Sequence, residues 1–402
     1  MTTANQRQDA WVRVGHSVAT DSAVAAAEAV HEALQGETAQ LVAVFVSTGH
    51  DLEVVARTVD AAAGPAPVVG ASTAGEVFTG GPSDSSVVVM ALGGDGFAVS
   101  TGLGVSEEAQ DPAADLTTVS LRDAAFTAAA CAKDVDRRQH TVLLLLADGL
   151  VGDQMEVVRG AYEQAGASIP LVGGCAGDDL DMEQTFQVYG GSVHRGAVVA
   201  AAISSDRPIG IGVRHGWEPV GESMLVTASQ GVTVSTLDDQ PALDVYLDRF
   251  NAHDEVRADL DAFINFAVTR PLGIRRRDRM EIRYVGGADF ERRTIQCIAE
   301  VPAGGLAWTM TGDAETILGA TDDACTEAIE ALGGADPLGL MVFDCIARRS
   351  VLSDDGDQAE VARMRVHAGA APVAGFYTYG EIARTRGAGG FHNQTLVALA
   401  LG

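Results

Sequence analysis

The chain has 402 residues, 47% of them hydrophobic, which is long enough for two or three domains with well-packed cores. Its 55 acidic residues outnumber 27 basic ones and give a net charge of −28. This field repels phosphate backbones and anionic lipid, which argues against nucleic acid and membrane surfaces as partners.

Other features of the composition narrow the class of protein. The amino terminus lacks a basic-then-apolar signal pattern, and no apolar run approaches the ~18 residues that a membrane helix needs. We therefore expect a cytoplasmic protein. The five cysteines are odd in number and form no CxxC pair, which predicts reduced thiols and no metal site.

In chain order, the first predicted elements are two strand-helix pairs. The apolar runs LVAVFVST at 41–48 and TVLLLLAD at 141–148 suit buried strands. A helix is predicted after each run, with Asp51 and Asp153 as the N-caps, because apolar side chains then recur at helical spacing. One face of each helix should therefore pack on a sheet.

Each helix leads to a strand that ends in glycine. The two stretches are PVVGASTAGE at 67–76 and PLVGGCAGDD at 170–179, and both carry an acid nine residues after the proline. A third version follows in the carboxy-terminal half, where the strand GLMVFDC at 339–345 precedes PVAGFYTYGE at 372–381. The recurrence indicates an internal repeat.

The predicted fold class is mixed α/β: repeated strand-helix-strand units whose mixed, partly antiparallel sheets are covered by helices. We expect two regions, residues 1–225 with two similar units and residues 226–402 with the third glycine-rich unit. No long Pro, Ser or Gly linker separates them, so the regions should pack together.

The third glycine stretch is the candidate ligand site, because it alone of the three carries tyrosines whose rings enclose a small molecule while their hydroxyls bond to it. An acid and an arginine there suit a ligand with an amine and a carboxylate. The expected ligand-binding residues are Gly375, Tyr377, Tyr379, Glu381, His392, Asn393, Arg348 and Arg349. The alternative is that a glycine-ended strand is a folding device.

A second possible pocket lies on the second glycine stretch, with Gly173, Gly174, Cys175, Asp178 and Asp179. No motif places a general base beside Cys175, and we expect no catalytic residues. A cysteine-dependent enzyme that uses Cys175 or Cys345 is kept as an alternative.

At these residues the chain resembles a FIST protein with both FIST N and FIST C regions. The resemblance rests on PLVGGCAGDD and, farther along, on RPLG at 270–273, FDCIARR at 343–349, GFYTYGEI at 375–382 and FHNQT at 391–395. The two predicted regions would then be FIST N over 1–225 and FIST C over 226–402. These motifs occur in the family's order, and the resemblance spans nearly the whole chain, from about residue 30 to residue 400.

The resemblance implies an intracellular sensory module that binds a small ligand such as an amino acid. We expect no resident cofactor. It implies a separate signalling partner: a histidine kinase, a cyclic-di-nucleotide enzyme or a chemotaxis protein. Some members are haem proteins that sense nitric oxide, which makes haem the alternative cofactor. The axial ligand candidates for that alternative are His50 and His215.

Overall fold

The computed structural model describes residues 9–111, 113–276, 279–352, 354–385 and 389–402. The chain folds into four sheets with helices packed against them, which confirms the predicted mixed class. Three of the sheets share one pattern of strand order, and the fourth belongs to an inserted domain. The segments that supply one such sheet and its helices are called units one, two and three.

Unit one runs from edge strand through two helices to a final strand. Its elements are β1 Trp11–Ser17, α1 Ser22–Leu34, β2 Ala39–Val46, α2 Leu52–Ala63, β3 Val68–Ser72, β4 Glu76–Phe78, β5 Gly81–Ser83 and β6 Val87–Gly93. The side chain of Asp51 accepts a hydrogen bond from the Val54 amide, which confirms it as the N-cap of α2.

Unit two has the same succession of elements. They are β7 Phe97–Val105, a 3-10 turn Glu108–Gln110, α3 Arg122–Ala128, α4 Cys131–Asp134, β8 His140–Ala147, α5 Gln154–Ala165, β9 Leu171–Cys175, β10 Gln187–Tyr189, β11 Ser192–His194 and β12 Ala197–Ser205. Asp153 caps α5, as predicted, by accepting from the Met155 amide.

A domain of residues 218–311 is inserted into unit three, after its edge strand β13 Ile209–Arg214. It forms one antiparallel sheet around a core that includes Tyr246 and Phe263. Its elements are β14 Glu218–Gln230, β15 Thr233–Leu237, β16 Gln240–Pro241, α6 Ala242–Arg249, α7 Leu260–Ala267, β17 Leu272–Arg276, β18 Arg279–Arg283, β19 Val285–Asp289, β20 Thr294–Cys297 and β21 Leu306–Thr311.

Unit three continues after the inserted domain. Its remaining elements are α8 Ala314–Glu330, β22 Gly339–Cys345, α9 Ile346–Arg349, α10 Asp354–Ala368, β23 Val373–Thr378, β24 Glu381–Arg384, β25 Phe391–His392 and β26 Leu396–Leu401. Within each unit one strand pair is parallel and joined by a helix, and the other pairs are antiparallel.

The units exchange hairpins in a ring. The strand orders are β1-β6-β2-β3-β10-β11, β7-β12-β8-β9-β24-β25 and β13-β26-β22-β23-β4-β5. The hairpin of unit one therefore completes the sheet of unit three, that of unit two completes unit one, and that of unit three completes unit two. The open edge of each parallel strand pair is thus covered by a neighbouring unit.

The inner faces of the three sheets share one apolar core. Phe376 lies in it, with its ring centroid 5.0 Å from Phe45 and 5.6 Å from Phe343. The helices cover the outer faces and form a separate apolar layer with each sheet. No helix in the described part of the chain is long and apolar enough to cross a membrane.

Candidate functional site

Close packing against the parallel neighbouring strand explains why glycine recurs in these three strands. Gly70, Gly173 and Gly375 occupy equivalent positions, opposite Val44, Leu145 and Val342 on the parallel neighbour. A Cβ on Gly375 would lie 1.8 Å from the carbonyl oxygen of Val342. Gly375 therefore lets two backbones approach closely and is buried within the sheet.

The acids after these glycines form buried hydrogen-bond clusters. Glu381 accepts from the Thr378 hydroxyl at 2.5 Å and from the Thr395 amide at 3.1 Å. Glu76 repeats the arrangement in unit one, accepting from Thr73 and from the amide of Ser86. Each carboxyl group joins the start of its hairpin to the residue before the unit's last strand.

Unit two builds the same cluster with another residue. Gln187 pairs with Ala71, the residue directly after Gly70. In the other two sheets, Glu76 and Glu381 pair with the residue directly after the equivalent glycine, so Gln187 occupies their position. The carboxyl group comes instead from Asp148, which accepts from the Thr185 hydroxyl at 2.7 Å and the Gly196 amide at 2.9 Å. The recurrence in all three units indicates a structural role for the carboxyl groups.

These carboxyl groups predict a pH-dependent stability. Burial raises the pKa of Glu76 and of Glu381 to about 8. At these two positions the folded protein holds more protons than the unfolded chain between about pH 5 and pH 8. The two groups therefore make the free energy of unfolding fall as pH rises through that window. Glu381→Gln should reduce the slope by about 1.4 kcal/mol per pH unit, measured by denaturant unfolding at pH 5, 7 and 9.

The exposed Glu330, at the end of α8, provides the control. Glu330→Gln should change the free energy of unfolding by less than about 0.5 kcal/mol at each pH. An unchanged slope in Glu381→Gln would show that Glu381 does not hold its proton in the folded state.

The tyrosines of the third stretch point to different places. Tyr377 is fully buried in the outer layer of unit three, beneath the Arg349 guanidinium at 4.7 Å, and its hydroxyl has no hydrogen-bond partner among the described residues. Tyr379 lies between units two and three, and its hydroxyl donates to Asp178 at 2.5 Å. Of the two, Tyr379 alone reaches the pocket described below.

Both arginines at the end of β22 are engaged with acids. Arg348 is completely buried and donates to Asp344 at 2.7 Å and Glu360 at 2.6 Å. Burial and the nearby Glu360 raise the pKa of Asp344 well above its usual range. Arg349 donates to Asp357 and, across the interface with unit one, to Asp84. The structure thus uses both cations to join elements.

The remaining expected residues of the third stretch are near the same strand ends. His392 makes a 3.0 Å contact through Nε2 with the carbonyl oxygen of Ala383. Asn393 is buried and donates to the His392 carbonyl oxygen, while its own Oδ1 has no partner among the described residues. Neither side chain lines the pocket described below.

The second stretch divides between two interfaces. Asp179 reaches unit one and accepts from the hydroxyls of Ser47 and Thr48. Asp178 accepts from Tyr379 and from the amides of the following turn. Gly173 and Gly174 pair with β24, and Cys175 is buried beneath Gln154. The loop that follows carries Leu180 and Met182 to the pocket rim.

A pocket of about 480 Å³ lies where units two and three meet the inserted domain. Its floor is formed at the carboxyl ends of β8 and β22, the usual position of ligands on α/β sheets. Its roof comes from the inserted domain. The lining residues are Thr117, Gly149, Leu150, Gly152, Asp153, Gln154, Leu180, Met182, Val232, Val268, Tyr284, Cys297, Ile298, Cys345, Ile346, Ala347, Ser350, Tyr379 and Phe391.

The cysteines in and near this pocket are not activated. Burial raises the pKa of Cys175 and Cys345 well above the usual range, and the nearby Glu381 adds to both shifts. Burial also raises the pKa of Cys297 to about 12. Thiolate is the nucleophilic form, so the environment of these three thiols opposes cysteine catalysis.

The two histidines named as candidate haem ligands make hydrogen bonds away from this pocket. His50 has Nε2 3.2 Å from the Ser85 carbonyl oxygen and Nδ1 3.4 Å from the Ser22 hydroxyl. His215 accepts from the Trp217 amide through Nδ1, and burial lowers its pKa to about 4. Neither side chain lines the pocket. Within the described residues, no group of three or more His, Cys, Asp or Glu could hold a metal ion.

Sequence reasoning missed the roof of the pocket. Val232, Tyr284, Cys297 and Ile298 lie in a domain whose position depends on tertiary packing. No repeat or motif marks them. It also missed the floor residues Leu150 and Ala347, although both follow strands that were predicted.

A pocket at strand ends, closed from above by a second domain, is typical of proteins that bind small molecules. Comparison with protein families makes the assignment specific. The FIST N domain matches residues 40–240 and the FIST C domain matches residues 242–384, so the chain belongs to the FIST family. FIST domains are sensory domains of signal transduction, and the family is not one of enzymes.

The chain is also similar to the uncharacterized protein MJ1623 of Methanocaldococcus jannaschii. The two are 30% identical over 93 residues, which cover 23% of this chain and 18% of that protein. The similarity therefore concerns a small part of each.

Proposed function

We propose that this protein is a sensory module that binds a small molecule in the pocket beneath the inserted domain. The observation that carries the proposal is the pocket's composition: its floor belongs to units two and three and its roof to the inserted domain. A ligand there contacts both bodies at once. Binding would therefore favour one position of the inserted domain over others.

The connections to the inserted domain are suited to such a movement. Gly216 has a positive φ of 80°, and Gly312 lies against the ring of Trp217, so both connections come together at one place. Trp217 also donates to the carbonyl oxygen of Gln394 in unit three. A hinge needs a few residues that absorb the change in backbone angles, and these short segments qualify.

The finer parts of the function are also proposals. The module would act in the cytoplasm on a separate partner such as a histidine kinase, a cyclic-di-nucleotide enzyme or a chemotaxis protein. The amino-acid-like ligand stays a prediction. It relied on Arg348 or Arg349 for a carboxylate. Arg348 already binds Asp344 and Glu360, and Arg349 already binds Asp84 and Asp357.

Filling the pocket provides the test. Ala347 lies on its floor, and Ala347→Phe should abolish both a ligand mass excess in native mass spectra of the purified protein and stabilisation by added metabolites. In the parent protein, a ligand at one hundred times its Kd should raise the free energy of unfolding by about 2.7 kcal/mol.

Ala23→Phe, on the exposed face of α1, is the matched control and should leave binding intact. Binding that survives in Ala347→Phe at full strength would place the ligand elsewhere. A mass excess equal to haem, with a Soret band, would favour the haem alternative instead.

A further inference from the structure

The polar side chains on the pocket floor already have partners. Asp153 caps α5, Gln154 donates to the Val151 carbonyl oxygen at 2.9 Å, and Ser350 donates to the Ile346 carbonyl oxygen at 3.2 Å. Tyr379 donates to Asp178. A ligand that needed these groups would have to break existing hydrogen bonds, so the floor offers it mainly apolar contact.

The pocket also lacks positive charge. Its lining includes the carboxyl group of Asp153, and no Arg, Lys or His is among the described residues that line it. An ionised carboxylate or phosphate would therefore lose its hydration without gaining a counter-charge, which is costly. The chain's net charge of −28 adds to the repulsion of anions.

One polar group of the roof is free to bind a ligand. The hydroxyl of Tyr284, between β18 and β19, has no hydrogen-bond partner among the described residues. Burial raises the pKa of Tyr284, with a smaller contribution from Cys345, so the phenol keeps its proton at neutral pH. It is therefore an O–H donor on a residue that lines a mainly apolar cavity.

We propose that the ligand is an uncharged, mainly apolar molecule with a hydrogen-bond acceptor that receives the hydroxyl of Tyr284. This inference rests on the proposed function. The floor at Leu150, Ile346 and Phe391 packs against the ligand's apolar body, while Tyr284 holds its polar end from the inserted domain. Tyr284 thus both selects ligands that carry an acceptor and attaches the ligand to the roof.

Two fluorescent probes of similar size test the charge and the acceptor. Prodan is a neutral naphthyl ketone, and 8-anilinonaphthalene-1-sulfonate is an anion. Prodan should bind with a blue-shifted emission, and Tyr284→Phe should weaken its affinity about two- to tenfold, the value of one hydrogen bond. The anion should bind at least tenfold more weakly than prodan.

Two variants make the test specific to this pocket. Ala347→Phe should abolish prodan binding, and Tyr189→Phe, a tyrosine on β10 away from the pocket, should leave it unchanged. Equal prodan affinity in the parent and Tyr284→Phe would overturn the role of Tyr284. Tighter binding of the anion would overturn the uncharged class.

The two proposals fail in different ways. A charged or zwitterionic metabolite whose binding is lost in Ala347→Phe would uphold the sensory pocket and overturn the ligand class. Failure of both probes and of all metabolites to bind, in the parent and in Ala347→Phe alike, would overturn both proposals.

Discussion

Arg348→Met should lower the free energy of unfolding by about 3–5 kcal/mol, because removing one partner of a buried ion pair leaves the other charge uncompensated. Arg348 is completely buried and donates to Asp344, Glu360 and the carbonyl oxygen of His215. Without it, two carboxyl groups remain in an apolar surrounding at the end of β22. Denaturant unfolding followed by circular dichroism measures the loss.

The exposed pair of Arg214 and Glu327 supplies the control. Arg214→Met should cost less than about 1 kcal/mol. Combining Arg348→Met with Asp344→Asn and Glu360→Gln should recover part of the stability, since no carboxyl group is then buried without its arginine partner. A loss for Arg348→Met no larger than that for Arg214→Met would contradict the ion-pair account.

Gly375→Ala should cost about 3 kcal/mol or more, because its new Cβ would overlap backbone rather than a flexible side chain. The carbonyl oxygen of Val342 is 1.8 Å and its carbonyl carbon 2.7 Å from that position. β22 and β23 would have to separate, which disturbs the central core at Phe376 as well. The midpoint of thermal or denaturant unfolding measures the effect.

Gly319→Ala is the opposite case. Gly319 lies within α8, and no atom lies within 4 Å of the place that a Cβ would take, so alanine should add about 0.5–1 kcal/mol of stability. A similar loss of stability in Gly375→Ala and Gly319→Ala would mean that the close backbone contact at Gly375 is not the cause of the loss there.

Local chemistry made part of the fold predictable. The N-caps Asp51 and Asp153 and the apolar runs before them identified the strand-helix pairs of units one and two, because capping and periodicity act within a few residues. The exchange of hairpins was not accessible in this way. The pairing of β4 with β23 joins segments at opposite ends of the chain, and no local pattern encodes it.

The same limit applies to the candidate site. Tyr379 could be named from the sequence because the third glycine stretch carries tyrosines where the first two carry small residues, and it does line the pocket. The acid of the second stretch shows the converse. Spacing aligned Asp179 with Glu76 and Glu381, whereas sheet pairing puts Gln187 in that place, since unit two has a longer loop before its hairpin. Tyr284 could not be assigned to the site from the sequence, because its place in the pocket depends on how the inserted domain packs.

The exchange of hairpins also delays strand pairing while the chain is being synthesised. Thr79, in the hairpin of unit one, bonds to Val373, which lies 294 residues farther along the chain. At a translation rate of about 5–20 residues per second, that partner leaves the ribosome roughly 15–60 s later. The nascent chain must carry an unpaired strand edge throughout this interval, and a chaperone that shields such edges would raise the yield of the native protein.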